Sequence, residues 1–376
     1  MSTQAMAAVL RAAGEPLELT EITVDSPKQG EVAVEIVAAG LCHSDLTMIA
    51  GAIPQPLPAV PGHEAAGIVT EVGLGVTSVE PGDHVVLSYR PSCGICAQCV
   101  RGRPVLCEVA ARLRRTGLLA DGTSRLHVGE ERLFHFSGVS AFAEHTVVPE
   151  SGVVPVDPSL PLDLLSVVGC AVMTGYGAVV NAARVRPGQS VLVIGCGGVG
   201  INAVQACRIS GANPIIAVDR SPAARGLALE LGATHAVDPD AESLAAVVAE
   251  VTAEGVDIAV EAVGIGSLIE ASIDLVCPGG AVIVVGVPPA ASSTSFSPAQ
   301  LLSEEKRVIG TLYGSSVPRF DVPRILDHWH NGELAIDRIV TTRYTLAEIN
   351  EGLAALAAGL EGRAIVELSG ASVLRD

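Results

Sequence analysis

Four cysteines crowd one short stretch, Cys93, Cys96, Cys99 and Cys107, in the spacing C-x2-C-x2-C-x7-C. Four thiolates this close, separated by Gly94 and Gly102, can close a tetrahedron around zinc. A complete shell of four protein ligands has no open position, so a metal there is structural. A second chemistry lies in Ser190–Asp219, SVLVIGCGGVGINAVQACRISGANPIIAVD. Gly195, Gly197 and Gly200 have the G-x-G-x-x-G spacing, with Gly198 and Val199 between them. The first glycine permits a tight turn, the second lets backbone approach a pyrophosphate, and the third lets helix and strand pack closely. The next strand ends in Asp219, followed by Arg220. An acid at that place takes the two ribose hydroxyls of NAD and repels a 2′-phosphate.

Three more segments hold metal-capable side chains: GLCHSD with Cys42, PGHEAAG with His63, and VGCAVMTGYG with Cys170. Two thiolates and one imidazole would leave a fourth zinc position for substrate. Their spacing alone does not bring them together, and on spacing alone each reads better as a lone buried Cys or His.

The elements that must position these groups fall into two styles. Residues 31–38, EVAVEIVA, alternate as a half-buried strand, and short extended runs continue at 67–72 and 84–87 after Pro-Gly turns. This describes a β-rich domain over 1–175. From 176 to 318 strands and helices alternate, with strands expected at 191–194, 215–218, 235–237, 257–261, 281–286 and 308–312. Between them, Ser221 reads as an N-cap, Pro222 as the first helical residue and Gly232 as the stop. Six strands with helical crossovers make the doubly wound α/β fold with a parallel sheet. The segment 319–376, with Trp329 and an amphipathic run at 346–356, is expected to return to the first domain.

Composition narrows the class. The chain has 376 residues and a formal net charge of −18, which argues against nucleic acid. Arg112, Arg114 and Arg115 form one local basic cluster, which reads either as a solvated loop or as a place for an anionic substrate. No run of about 18 apolar residues is free of Gly or charge, so no membrane span is expected. The first residues lack the pattern of a secretion leader, and a cytoplasmic protein is the expectation. Nine cysteines in that setting are not a disulfide framework, and Cys196, Cys207 and Cys277 read as small buried hydrophobes.

Taken in order, the Cys42, His63 and Cys170 motifs, the four-cysteine cluster and the glycine loop resemble the zinc-dependent medium-chain alcohol dehydrogenases over essentially the whole chain. The 62 residues between Cys107 and Cys170 resemble the extended loop of the class I and class III enzymes. The resemblance implies a GroES-like β domain plus a Rossmann domain, an active site in the cleft between them, two zinc ions and NAD per chain, and a homodimer acting on a small-molecule alcohol or aldehyde. It makes Cys42, His63 and Cys170 the catalytic zinc ligands and Glu64 the carboxylate beside the metal. Asp45 resembles the acid that orients the ligand histidine, and Ser44 the hydroxyl that takes the alcohol proton. His43 falls where a basic residue meets the cofactor pyrophosphate. Zinc lowers the pKa of an alcohol, and the nicotinamide accepts the hydride. Related readings are an enzyme that keeps its NAD bound, a thiol-adduct formaldehyde dehydrogenase, and, in another class, a non-catalytic NAD-binding zinc protein.

Several positions depart from the family pattern. Thr47 stands where a relay histidine is common. The C-terminal motif G-K-S-I-R reads GRAIV, which puts Val366 at the place of a phosphate-binding arginine. Ala224 replaces a basic residue, leaving Arg220 or Arg225 to compensate for looser NAD binding. Ala111 stands where class III enzymes have an arginine, which lowers the glutathione-adduct reading. Tyr89 and Ile53 are expected to line a pocket for a medium-sized apolar alcohol.

Overall fold

The computed structural model describes residues 2–289 and 291–368, and its contacts divide the chain into two compact units. One unit takes the chain through Cys170, then Val317–Pro323 and the chain from Ile336; the other takes Ala171–Ser316 and Arg324–Ala335. Of the C-terminal segment expected at 319–376, residues 369–376 lie outside the described residues.

The first unit is built around strand Glu31–Gly40 in a seven-stranded sheet. Its alternation predicts one wet face, yet eight of its ten residues are buried. The cause lies in the segment after Cys107. Arg125, itself buried, donates from Nε and Nη2 to the two carboxylate oxygens of Glu31 at 2.8 and 2.7 Å. The bidentate pair satisfies both charges as the long segment covers the strand. A second sheet, holding Thr3–Val9, Glu18–Val24, Leu126–Val128 and Glu131–His135, completes this unit.

Strand pairing positions the chemistry. Ala39 pairs with Ala65 and Ala65 with Leu87, all antiparallel, so one end of the ladder gathers three loops. Cys42 follows the first strand by two residues, and His63 precedes the second by two. At the end of the third, Gly169 lies so close to the Leu87 carbonyl that a Cβ would sit 2.2 Å from the oxygen. Only glycine fits there, and Cys170 is the next residue. Cys170 belongs to a wide-turn helical stretch, Val168–Val172, an irregularity that recurs at functional sites. The enclosing helix, Leu162–Ala183, is long and apolar enough to cross a membrane by composition, but most of it is buried in the fold, as in a core helix.

The second unit holds a six-stranded parallel sheet. Its order is His235–Val237, Ile215–Val218, Val191–Ile194, Val256–Glu261, Val276–Val284, Arg307–Gly310. The two strands flanking the glycine loop are buried throughout, as helices on both faces require. Ser221 caps the helix Pro222–Leu231 by accepting from Ala224 N–H, and Gly232 ends it. The fifth strand runs Val276–Val284 rather than 281–286. Its pairing with Val256–Glu261 shifts register between Val256 and Ile258, which absorbs Pro278, Gly279 and Gly280.

Candidate metal centre and dinucleotide loop

Helix His43–Ile49 begins immediately after Cys42, so its first turn carries His43, Ser44 and Asp45. Asp45 is fully buried and accepts two hydrogen bonds, from His63 Nδ1 at 2.8 Å and from Cys42 N–H at 3.1 Å. Burial pushes the Asp45 carboxyl up, while His63 opposes that rise. With Nδ1 held by a carboxylate, His63 has Nε2 as the nitrogen that could ligate a metal. His63, Cys42 and Cys170 are all buried, and their ligand atoms lie within 4.8 Å of one another. Two soft sulfurs and one imidazole nitrogen fit zinc by number and softness, with one position left over. The paired thiols split their protons: Cys42 is pushed well down, first by its hydrogen bond with Cys170, and Cys170 well up.

Glu64 is fully buried and ion-paired to Arg363 Nη2. Burial disfavours the guanidinium charge, but Glu64, Cys42 and Cys170 outweigh it and raise the Arg363 pKa. Reading the C-terminal motif as G-K-S-I-R put Val366 at the arginine place and missed this residue. Val366 is fully buried in the core, and the arginine that reaches the site opens the same strand three residues earlier. Apolar Ala364, Ile365 and Val366 after Gly362 were the signal for that register.

The other expected residues divide. Ser44 is half-exposed and His43 exposed on the helix turn. Thr47 Oγ1 donates to the His43 carbonyl at 2.8 Å, which ties it to its own helix. Tyr89 stacks edge-on against His63 at 5.2 Å between ring centroids. Phe136, which the sequence reading missed, does the same at 5.6 Å. Ile53 packs on the core. Arg112, Arg114 and Arg115 are exposed, and Arg112 donates to the Ala120 carbonyl.

Cys93, Cys96, Cys99 and Cys107 converge as a second group, with sulfurs within 4.8 Å and Cys96 and Cys107 3.9 Å apart. Backbone N–H groups of Cys99 and Glu108 lower Cys96 to about 6, while burial and shared thiol hydrogens push Cys99 up to about 12. Four sulfurs with backbone donors aimed at them fit a tetrahedral zinc shell.

In the second unit, Gly195 has φ +86°, and a Cβ on Gly200 would fall 1.6 Å from the Gly195 carbonyl. That contact is why the third glycine has no substitute. Gly197 has open space beside it. Asp219 Oδ2 accepts from Cys196 N–H at 2.7 Å and Oδ1 from Ser221 N–H at 2.8 Å, which fixes the carboxylate beside the loop. Arg220 instead pairs with Asp240 at the surface, and Arg225 pairs with Asp238 while donating to the Asp219 and Arg220 carbonyls.

Two family models match: the alcohol dehydrogenase GroES-like domain over residues 28–158 and the zinc-binding dehydrogenase over 198–329. The chain is 41% identical to an NDMA-dependent alcohol dehydrogenase of Amycolatopsis methanolica, over 96% of this chain and 98% of that one. It is 38% identical to an S-(hydroxymethyl)glutathione dehydrogenase of Paracoccus denitrificans, with the same coverage. The crystal structure of benzyl alcohol dehydrogenase from Acinetobacter calcoaceticus superposes with a TM-score of 0.93 at 33% identity, covering 98% of this chain and all of that one. The chain belongs to the zinc-dependent medium-chain alcohol dehydrogenase family.

Proposed function

We propose that the protein oxidises an alcohol to its aldehyde or ketone, and runs the reverse, with NAD as hydride carrier and two zinc ions per chain. The observation that carries this reading is the convergence of Cys42, His63 and Cys170 with Asp45 behind the histidine. Those three residues hold the catalytic zinc, and Cys93, Cys96, Cys99 and Cys107 hold the structural one. The β-rich first domain (1–175, with the return of 319–376 apart from Arg324–Ala335, which groups with the second unit) supplies catalysis, and the Rossmann domain (176–318) binds NAD through Gly195, Gly197, Gly198, Val199, Gly200 and Asp219.

When bound, zinc supplies Lewis acidity that makes the alcohol hydroxyl acidic near neutral pH, and NAD supplies the hydride acceptor. The protein's own groups do the rest. Asp45 fixes the tautomer and orientation of His63. Glu64 and Arg363 neutralise each other against the thiolates. Ser44 Oγ receives the hydroxyl proton. With Thr47 tied to the helix carbonyl, the proton leaves by water or His43. Tyr89 and Phe136 wall His63 with aromatic edges and favour an apolar, benzylic-sized substrate. A cytoplasmic setting is part of this reading, since it keeps the six cysteines of the two groups reduced for metal. The parallel sheet ends in strand Arg307–Gly310 at an open edge, and a homodimer through that edge would cover it.

Identity to an NDMA-dependent relative favours a second reading in which NAD stays bound and an external acceptor reoxidises it. The test is NADH formation from NAD across aliphatic and benzylic alcohols, with NADP and Cys42→Ala as controls. Turnover with NAD, lost in Cys42→Ala, is the expected result. Co-purified nucleotide and turnover only with an added acceptor would select the second reading. No turnover under either condition would refute both.

A further inference from the structure

We propose that Asn202 and Gln205 form an amide relay that holds the Gly198–Val199 peptide with its N–H turned toward the cofactor pyrophosphate. This rests on the dinucleotide reading of the loop, and it makes Asn202 a positioning residue for NAD. Both side chains are fully buried in helix Gly200–Ile209, whose buried positions are otherwise apolar or glycine. Buried amides are costly unless their hydrogen bonds are made.

Here they form a chain with one direction. Ala335 N–H donates to Gln205 Oε1 at 2.7 Å. A backbone N–H can only donate, so the accepting atom of Gln205 is its oxygen, and its amino group is left to donate to Asn202 Oδ1 at 3.3 Å. The Asn202 amino group in turn donates to the Gly198 carbonyl at 2.7 Å, an atom that can only accept. Backbone chemistry fixes the polarity at both ends. Flipping either amide would set donor against donor or acceptor against acceptor.

The far end of the relay is the glycine loop. In a trans peptide the carbonyl and the following N–H point opposite ways. Drawing the Gly198 oxygen toward Asn202 therefore aims the Val199 N–H out of the start of the helix, where an anion binds. Both relay side chains are fully buried, so they act through the peptide they hold. A packing role alone would stabilise the fold and leave affinity unchanged, so binding separates the two.

The experiment titrates NADH by fluorescence, and ADP-ribose by competition, on the intact zinc-loaded protein. Parent, Asn202→Asp, Asn202→Leu and Gln205→Glu are compared, with circular dichroism fixing the folded fraction. Asn202→Asp has the same shape but places a carboxylate against the Gly198 carbonyl with no proton to share. Its Kd for both ligands should rise about tenfold or more. Binding should then recover as pH falls and the carboxyl regains a donating O–H, a recovery absent from Asn202→Leu. Gln205→Glu should turn the Asn202 amide and weaken binding in the same direction, and it carries the test if Asn202→Asp does not fold. Parent-like Kd values in folded variants would overturn the relay while leaving the dinucleotide reading intact. A parent that binds neither ligand would overturn both.

Discussion

In the two-zinc protein proposed above, Asp45→Asn should loosen one ion and leave the other untouched. The fully buried carboxylate accepts from His63 Nδ1–H at 2.8 Å and from Cys42 N–H at 3.1 Å. Asparagine keeps the shape but has one oxygen, so its amino group must oppose one of those two donors. If it faces His63, the imidazole is driven to the tautomer with its proton on Nε2, which removes the lone pair a metal needs. If it faces Cys42, the N–H beside the ligand sulfur loses its acceptor in a dry site. A hydrogen bond to a charged group is worth about 1.5–3 kcal/mol, which is roughly ten- to hundredfold in zinc affinity. The assay is zinc release to a chromophoric chelator, read as two phases of one equivalent each. The phase belonging to Cys42, His63 and Cys170 should weaken by that factor. The phase of the four-cysteine group, which shares no residue with Asp45, should match the parent. Two unchanged phases would refute the argument that Asp45 holds His63 for the metal.

Two further perturbations probe buried charge. Arg363→Met removes the ion-pair partner of Glu64 in a site where neither residue exceeds 4% exposure, and should cost about 3–5 kcal/mol in denaturant unfolding. Adding Glu64→Gln should recover most of that loss, and a single variant as stable as the parent would refute the pairing. His135 is buried with its pKa pushed from 6.5 down to about 3, first by burial and then by Arg125. A folded-state pKa below the unfolded one means the unfolded chain binds more protons between pH 6.5 and about 3, so stability falls as pH drops through that window. At pH 5.5 the loss should be about 1.4 kcal/mol relative to pH 7.5. His135→Asn should lose that part of the acid sensitivity in paired urea titrations, and an unchanged pH slope would count against it.

What could be read in the sequence was what is local. The glycine loop, its two strands, Asp219 and the Ser221 cap lie within about one supersecondary unit, so pattern and propensity suffice for them. The four-cysteine group is equally local. Cys42, His63 and Cys170 are different: only the ladder that pairs Ala39 with Ala65 and Ala65 with Leu87 makes them neighbours, and spacing carries no trace of it. Family resemblance supplied that step. Arg363 was missed because a motif was laid on residue by residue, whereas the apolar run Ala364–Val366 sets the strand register. Phe136 lies in the long segment after Cys107, which has no period to follow. Thr47 reads as a gap in a proton path, and the bond of its hydroxyl one turn back, which sequence does not show, is consistent with that reading.

The two metal groups also differ in how far the chain must travel to build them. Fourteen positions separate Cys93 from Cys107, whereas 128 separate Cys42 from Cys170. Closing the longer loop costs about 2 kcal/mol more chain entropy, before any strand pairing is counted. On a chain emerging from the ribosome, the local group has all its ligands once residue 107 is out. The distant group must wait for residue 170 and for three strands to find one another. On the proposed two-zinc reading, loading would have a built-in order: the first ion could hold a short knuckle in a nascent chain, while the second could be captured only by a sheet already in place.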